Sequence, residues 1–87
     1  MAVYRILIKS SAAKEIEAVD VKTQRQRIVA RIRALGQDPR THGREKLAGY
    51  AYRYRVRQGQ FRIIYLIDDS RSEVTIFKVA HRKDVYR

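Results

Sequence analysis

The 87-residue sequence has no cysteine and no tryptophan, a single proline and only four glycines. Without cysteine there is no thiolate catalysis, no cysteine-based zinc site and no disulfide staple, a composition that suits a reducing compartment. Acidic residues are scarce as well: 9 Asp plus Glu face 20 Lys plus Arg, a formal net charge of +11. Long apolar runs are missing. The longest, Ile63-Ile64-Tyr65-Leu66-Ile67, falls far short of the ~18 residues a membrane span needs. No apolar segment stands behind Met1-Ala2-Val3-Tyr4-Arg5 as a secretory signal requires. The expectation is a cytoplasmic protein without membrane contact. No repeat or low-complexity segment divides the chain, and a length this short supports one core, so residues 1–87 are read as one domain.

What is present is a basic domain that folds. A hydrophobic share of 45% is too high for a disordered basic tail, so the charge must coat a packed interior. Residues 1–49 hold 11 basic and 5 acidic side chains and residues 50–87 hold 9 and 4, so the excess is spread over the whole chain. Such a surface attracts polyanions. Nucleic acid is the first candidate, and an acidic partner protein the second.

Val3 to Lys9 alternates Tyr4, Ile6 and Ile8 against Val3, Arg5, Leu7 and Lys9, the pattern of a strand with one apolar face. Ser10 and Ser11 are candidate caps for a first helix carrying Ala13 and Ile16. A second helix is predicted over Lys22 to Leu35, with Ile28, Val29, Ile32 and Leu35 on one side and Gly36 as its stop. Its Arg25, Arg27, Arg31 and Arg33 read as a solvated face. Gln37 to Gly49 reads as a loop, with a turn around Glu45-Lys46-Leu47. From Tyr50 the period changes to two. Strands are predicted on either side of Gln58-Gly59, the second over Phe61 to Asp68, and again over Val74 to Val79, with Asp69 to Ser72 as a turn. The order β-α-α-β-β-β describes an α+β fold, a helical hairpin packed on a mostly antiparallel sheet.

A turn centred on Gln58-Gly59 places opposite one another residues whose numbers sum to 117. Val56 then faces Phe61, Tyr54 faces Ile63 and Tyr52 faces Tyr65, an apolar set for the helices to cover. The other face sets Arg55 against Arg62, beside Arg53 and Arg57. Like charges across a sheet are unfavourable by about 0.2–1 kcal/mol, and such local conflicts concentrate at functional sites. A phosphodiester would relieve this one, because each guanidinium donates two parallel hydrogen bonds to it. A merely solubilising outer face is the competing explanation. The C-terminal run adds Arg82 and Lys83, together with His81 and Tyr86 as groups able to carry a proton. His42 has no carboxylate or second histidine at ligand spacing, and reads as a surface histidine. No Gly-rich phosphate loop, His-x-x-x-His motif or Ser-His-Asp set is present, so the expectation is neither metal nor cofactor.

Lys46-Leu47-Ala48-Gly49-Tyr50, the stretch YRYRVRQGQFRIIY from Tyr52 to Tyr65, and VAHRKDVYR from Val79 to Arg87 together resemble the RelE toxins of the RelE/ParE superfamily. The resemblance covers essentially the whole chain. It implies the toxin of a type II toxin–antitoxin pair: a metal-independent endoribonuclease that cuts messenger RNA in the ribosomal A site by attack of the 2′-hydroxyl on the adjacent phosphate. It implies a partner too, a RelB-like antitoxin that covers the basic face. Carried over by position, Arg53 and Arg55 fall where well-known members have lysine, Arg62 on the arginine of the next strand, Arg82 on the arginine after the last strand, and Tyr86 on the tail tyrosine. Arg57 and Lys83 join them as phosphate-binding candidates. The departure from lysine matters: Arg53 and Arg55 stay charged and cannot act as bases, so the 2′-hydroxyl proton falls to Tyr86, to His81 or to a group of the ribosome. Two alternatives stand beside this reading, a ParE-like inhibitor that binds DNA gyrase without cutting RNA, and a nucleic-acid-binding corepressor without catalysis.

Overall fold

A computed structural model describes residues 3–49 and 52–84. Strand β1 (Arg5–Ile8) leads into helix α1 (Ser10–Glu17) and helix α2 (Lys22–Gln37). Four further strands follow: β2 (Glu45–Lys46), β3 (Arg53–Gln58), β4 (Phe61–Asp68) and β5 (Glu73–His81). The sheet runs in the order β1-β5-β4-β3-β2. Its pairs are antiparallel except β1 with β5, which is parallel because the two helices carry the chain back across the sheet. This is the expected α+β fold, with a fifth strand added.

Strand β2 was hidden by its length. Glu45 and Lys46 pair with Arg55 and Tyr54 at the edge of the sheet, in a segment whose sequence carries only turn signals. The helix boundaries also depart from the sequence reading. Lys9, not Ser10 or Ser11, caps α1, and no side chain bonds to the free amides there. Gly36 does not stop α2 but lies buried in its last turn, where its carbonyl accepts the Tyr4 amide at 2.8 Å. A Cβ at that position would come within 3.1 Å of the Tyr4 carbonyl oxygen, so the glycine is there to let β1 and α2 touch.

The helices cover one face of the sheet. Ala12, Ile16 and Val19, with Ile28, Ile32 and Leu35 from α2, meet Val56, Ile63, Tyr65, Ile67, Val74, Ile76 and Val79 in a single core. Two polar ties hold this interface. The Tyr65 hydroxyl donates to the Pro39 carbonyl at 2.6 Å, and burial pushes that phenol up to about 12. Glu15 on α1 accepts the amide of Val79 at 3.0 Å, past the point where β1 ends and would have supplied the acceptor.

The turn joining β3 to β4 is Gly59-Gln60, one residue later than the sequence suggested. Gly59 takes φ 61°, at the position where a type II′ turn places glycine. Paired numbers therefore sum to 119: Val56 faces Ile63, Tyr54 faces Tyr65, Arg57 faces Arg62, and Arg55 faces Ile64. The expected pairing of Arg55 with Arg62 is replaced by Arg57 with Arg62. A slip of two residues changes every partner but no face, so the division into apolar and arginine sides survives. Tyr52 is the exception, 62% exposed at φ 65° rather than paired with Tyr65 under the helices.

Candidate phosphate-binding face

The side of the sheet away from the helices carries the arginines. Alternation along β3 sends Arg53, Arg55 and Arg57 to this side while Tyr54 and Val56 point inward, and along β4 it does the same for Arg62, Ile64 and Leu66. Gln58 and Phe61 close the two-residue turn, which makes Arg57 and Arg62 the next pair, the kind in which side chains approach most closely. Arg82 arrives from the other direction. Its amide donates to the Gln60 carbonyl at 2.8 Å, pinning the turn after β5 to the β3–β4 turn. The consequence is legible in Arg62, whose hold on its proton is weakened first by partial desolvation and then by the charges of Arg57, Arg55 and Arg82.

Not every arginine contributes equally. Arg55 forms an ion pair with Glu45 across the β2–β3 edge, so part of its charge is spent within the protein. Arg53 lies over the Phe77 ring, 4.6 Å from its centroid, four residues along β3 from Arg57. Lys83 is exposed in the turn after Arg82, its amide donating to Nδ1 of His81 at 3.3 Å. The fold brings Arg57, Arg62 and Arg82 together, with Arg55 at their edge.

His81 is separated from them. It pairs with Phe61 and meets that ring edge-on at 5.7 Å, on the side of the sheet that faces the helices, whereas Arg62 pairs with Ala80 on the open side. Tyr86 lies outside the described residues. Among the described residues no three His, Cys, Asp or Glu gather as a metal site would require.

The sequence reading missed a polar cluster on the far end of the sheet. Asp69 accepts the Tyr4 hydroxyl at 2.6 Å and two bonds from Arg40 at 3.0 and 2.8 Å. Arg40 and Tyr4 hold the Asp69 carboxyl down at about 2. Its role is to tie the loop after α2 to β1 and to the β4–β5 turn. No local spacing could have revealed it, since its members stand 65 and 29 residues apart.

The family described as ParE toxin of the type II toxin–antitoxin system parDE matches residues 6–86. The chain belongs to this toxin family. Toxin RelG of Mycobacterium tuberculosis is 36% identical over 53 residues, a match that spans 61% of this chain and 61% of that protein. The fold recurs in the archaeal RelE–RelB complex from Pyrococcus horikoshii at a TM-score of 0.82 and 24% identity, over 98% of this chain and 100% of that one. It recurs in the toxin–antitoxin complex RelBE2 from Mycobacterium tuberculosis at 0.81 and 23%, over 92% and 99%. A RelE/ParE-superfamily toxin is thus what the sequence resemblance anticipated, and the helical hairpin on its sheet is that superfamily's architecture.

Proposed function

We propose that this toxin cuts messenger RNA at the ribosomal A site, and that Arg57, Arg62 and Arg82 hold the scissile phosphate. The observation that carries the reading is the crowding of three guanidinium groups on an open sheet face, at a cost in mutual repulsion that a bound phosphate removes. In the reaction the 2′-hydroxyl oxygen attacks the neighbouring phosphorus, the bond to the 5′ oxygen breaks, and the products are a 2′,3′-cyclic phosphate and a free 5′-hydroxyl. Negative charge builds on the non-bridging oxygens as the new bond forms. Arg62, central in the cluster, donates to those oxygens, and Arg82 steadies the departing 5′ oxygen. Guanidinium groups cannot take the attacking hydroxyl's proton, because they remain charged. His81 faces the helices. We therefore assign the proton to Tyr86 acting as its phenolate, with a group of the ribosome as the alternative acceptor; the departing 5′ oxygen takes its proton from solvent water, and no metal enters the step.

We further propose a cytoplasmic toxin held inactive by an antitoxin whose binding segment is acidic or supplies apolar helix contacts, as the RelB–RelE complexes among its structural relatives suggest. Binding to the folded toxin alone would raise its melting temperature by linkage. The ParE name of the matching family supports a second reading, in which the same basic protein inhibits DNA gyrase by binding.

The test is cleavage of a translated message by Arg62→Ala and Arg82→Ala toxins. Each loses transition-state charge stabilisation, on the order of 100-fold or more in rate, while circular dichroism stays that of the folded parent. Full activity in either variant would mean that the face only keeps the protein in solution.

A further inference from the structure

Strand β5 contains a bulge that the phosphate cluster does not explain. Ile64 pairs with Lys78 and Tyr65 with Ile76, so Phe77 is left as an extra residue without a partner on β4. Bulges re-aim side chains, and this one sends Phe77 to the open face. There the ring lies between two cations: Nζ of Lys9, from the end of β1, at 4.8 Å and the Arg53 guanidinium at 4.6 Å from its centroid. Lys9 and Arg53 come from opposite sides of β5 in the strand order, so the ring is what collects them. Arg53 stands four residues along β3 from Arg57, about 14 Å at the rise of an extended strand. The two positive sites thus lie on one face, along one strand, with Arg55, which is paired to Glu45, and the apolar Ile64 opposite it between them.

From this arrangement we infer that Lys9, Phe77 and Arg53 form a second subsite for single-stranded RNA, holding the sugar–phosphate backbone beyond the nucleotides at the Arg57–Arg62–Arg82 cluster. Phe77 acts as a positioning residue. It keeps the two cations aimed at the open face, and when they bind phosphate its ring is exposed to an unstacked base. An acidic peptide would satisfy the charges but has no use for the ring between them, which is why RNA is the better fit. The inference rests on the reading of the face as an RNA site.

The experiment measures binding of the full chain to a dinucleotide and a hexanucleotide across a series of salt concentrations. Both RNAs carry a 2′-deoxy substitution that blocks cleavage. The hexanucleotide should bind more tightly than the dinucleotide, with a steeper salt dependence. Lys9→Gln should lower the hexanucleotide's salt slope by about 0.7, the share of one phosphate contact on a single strand. Phe77→Leu, which keeps an apolar side chain, should weaken hexanucleotide binding several-fold. Neither variant should change binding of the dinucleotide, and Lys14→Gln, which removes an equal charge from α1, should change neither ligand. If both variants bind the hexanucleotide as the parent does, while Arg62→Ala loses the dinucleotide, the subsite is refuted and the cluster stands. If the variants lose affinity for hexaglutamate and not for RNA, the patch is a protein-binding surface and the inference fails. If the parent binds neither RNA, the inference falls together with the reading it rests on.

Discussion

Replacing Arg62 by glutamine sets stability and function in opposition. Arg62 faces Arg57 in the close, non-hydrogen-bonded pair next to the turn, and Arg55 and Arg82 add to the repulsion. A like-charge pair in that position costs about 0.2–1 kcal/mol. A domain of this size gains about 4–8 °C in melting temperature per kcal/mol, so Arg62→Gln should melt higher than the parent by about 1–8 °C at low salt. Glutamine keeps two of arginine's three methylenes, so little packing is lost. Raising salt from 0.1 M to 1 M shortens the screening length from about 10 Å to about 3 Å and should close most of the gap. Cleavage of a translated message by the same variant should fall on the order of 100-fold or more. Thermal melts followed by circular dichroism at the two salt concentrations decide the stability half, and a single-turnover cleavage assay the other. A variant that melts lower than the parent, or a gain that salt does not erode, would refute the claim that these arginines oppose folding.

Three further outcomes test the frame around that face. Tyr65→Phe leaves the Pro39 carbonyl without its buried donor and should cost about 1–3 kcal/mol. Because the folded-state phenol is raised to about 12, the parent's stability should fall as pH rises from the unfolded phenol's value of ~10 through about 12, and the variant's should fall less. Asp69 behaves with the opposite sign. Its carboxyl is depressed to about 2, so its contribution is present above ~4 and lost as pH falls through about 2, and melts of Asp69→Asn over that window should show a shallower acid slope than the parent. Glu15→Ala orphans the amide of Val79 and should destabilise by about 1–3 kcal/mol, whereas Glu15→Gln keeps an acceptor oxygen and should lose less.

Much of this architecture was legible because alternation reports faces directly. Tyr54 and Val56 against Arg55 and Arg57 give the two sides of β3 without any knowledge of partners. Partners depend on the turn, and Gln58-Gly59-Gln60 offers two centres for a two-residue loop; the left-handed φ of Gly59 at the first central position selects the later one. Parity then preserved the arginine face and moved only the pairing, from Arg55 with Arg62 to Arg57 with Arg62. Gly36 misled for a related reason. A glycine after a periodic helix is a common stop signal, but here it serves a close approach to Tyr4 that only tertiary structure shows. His81 and Arg82 are adjacent in sequence, and position alone cannot tell that the strand carries His81 to the helix side before the chain turns. The bulge at Phe77, the edge strand β2 and the Asp69 cluster all depend on distant partners, beyond the reach of any local pattern.

We propose that the crowded arginine face serves RNA cleavage during translation. The most direct test is primer extension on translated and untranslated messages after brief expression of the toxin, run beside a gyrase cleavage assay on the same cells. The expected result is cuts inside coding regions of translated messages, ends bearing 2′,3′-cyclic phosphate, and their disappearance in Arg62→Ala cells. Intact messages alongside accumulating gyrase-linked DNA breaks would contradict it.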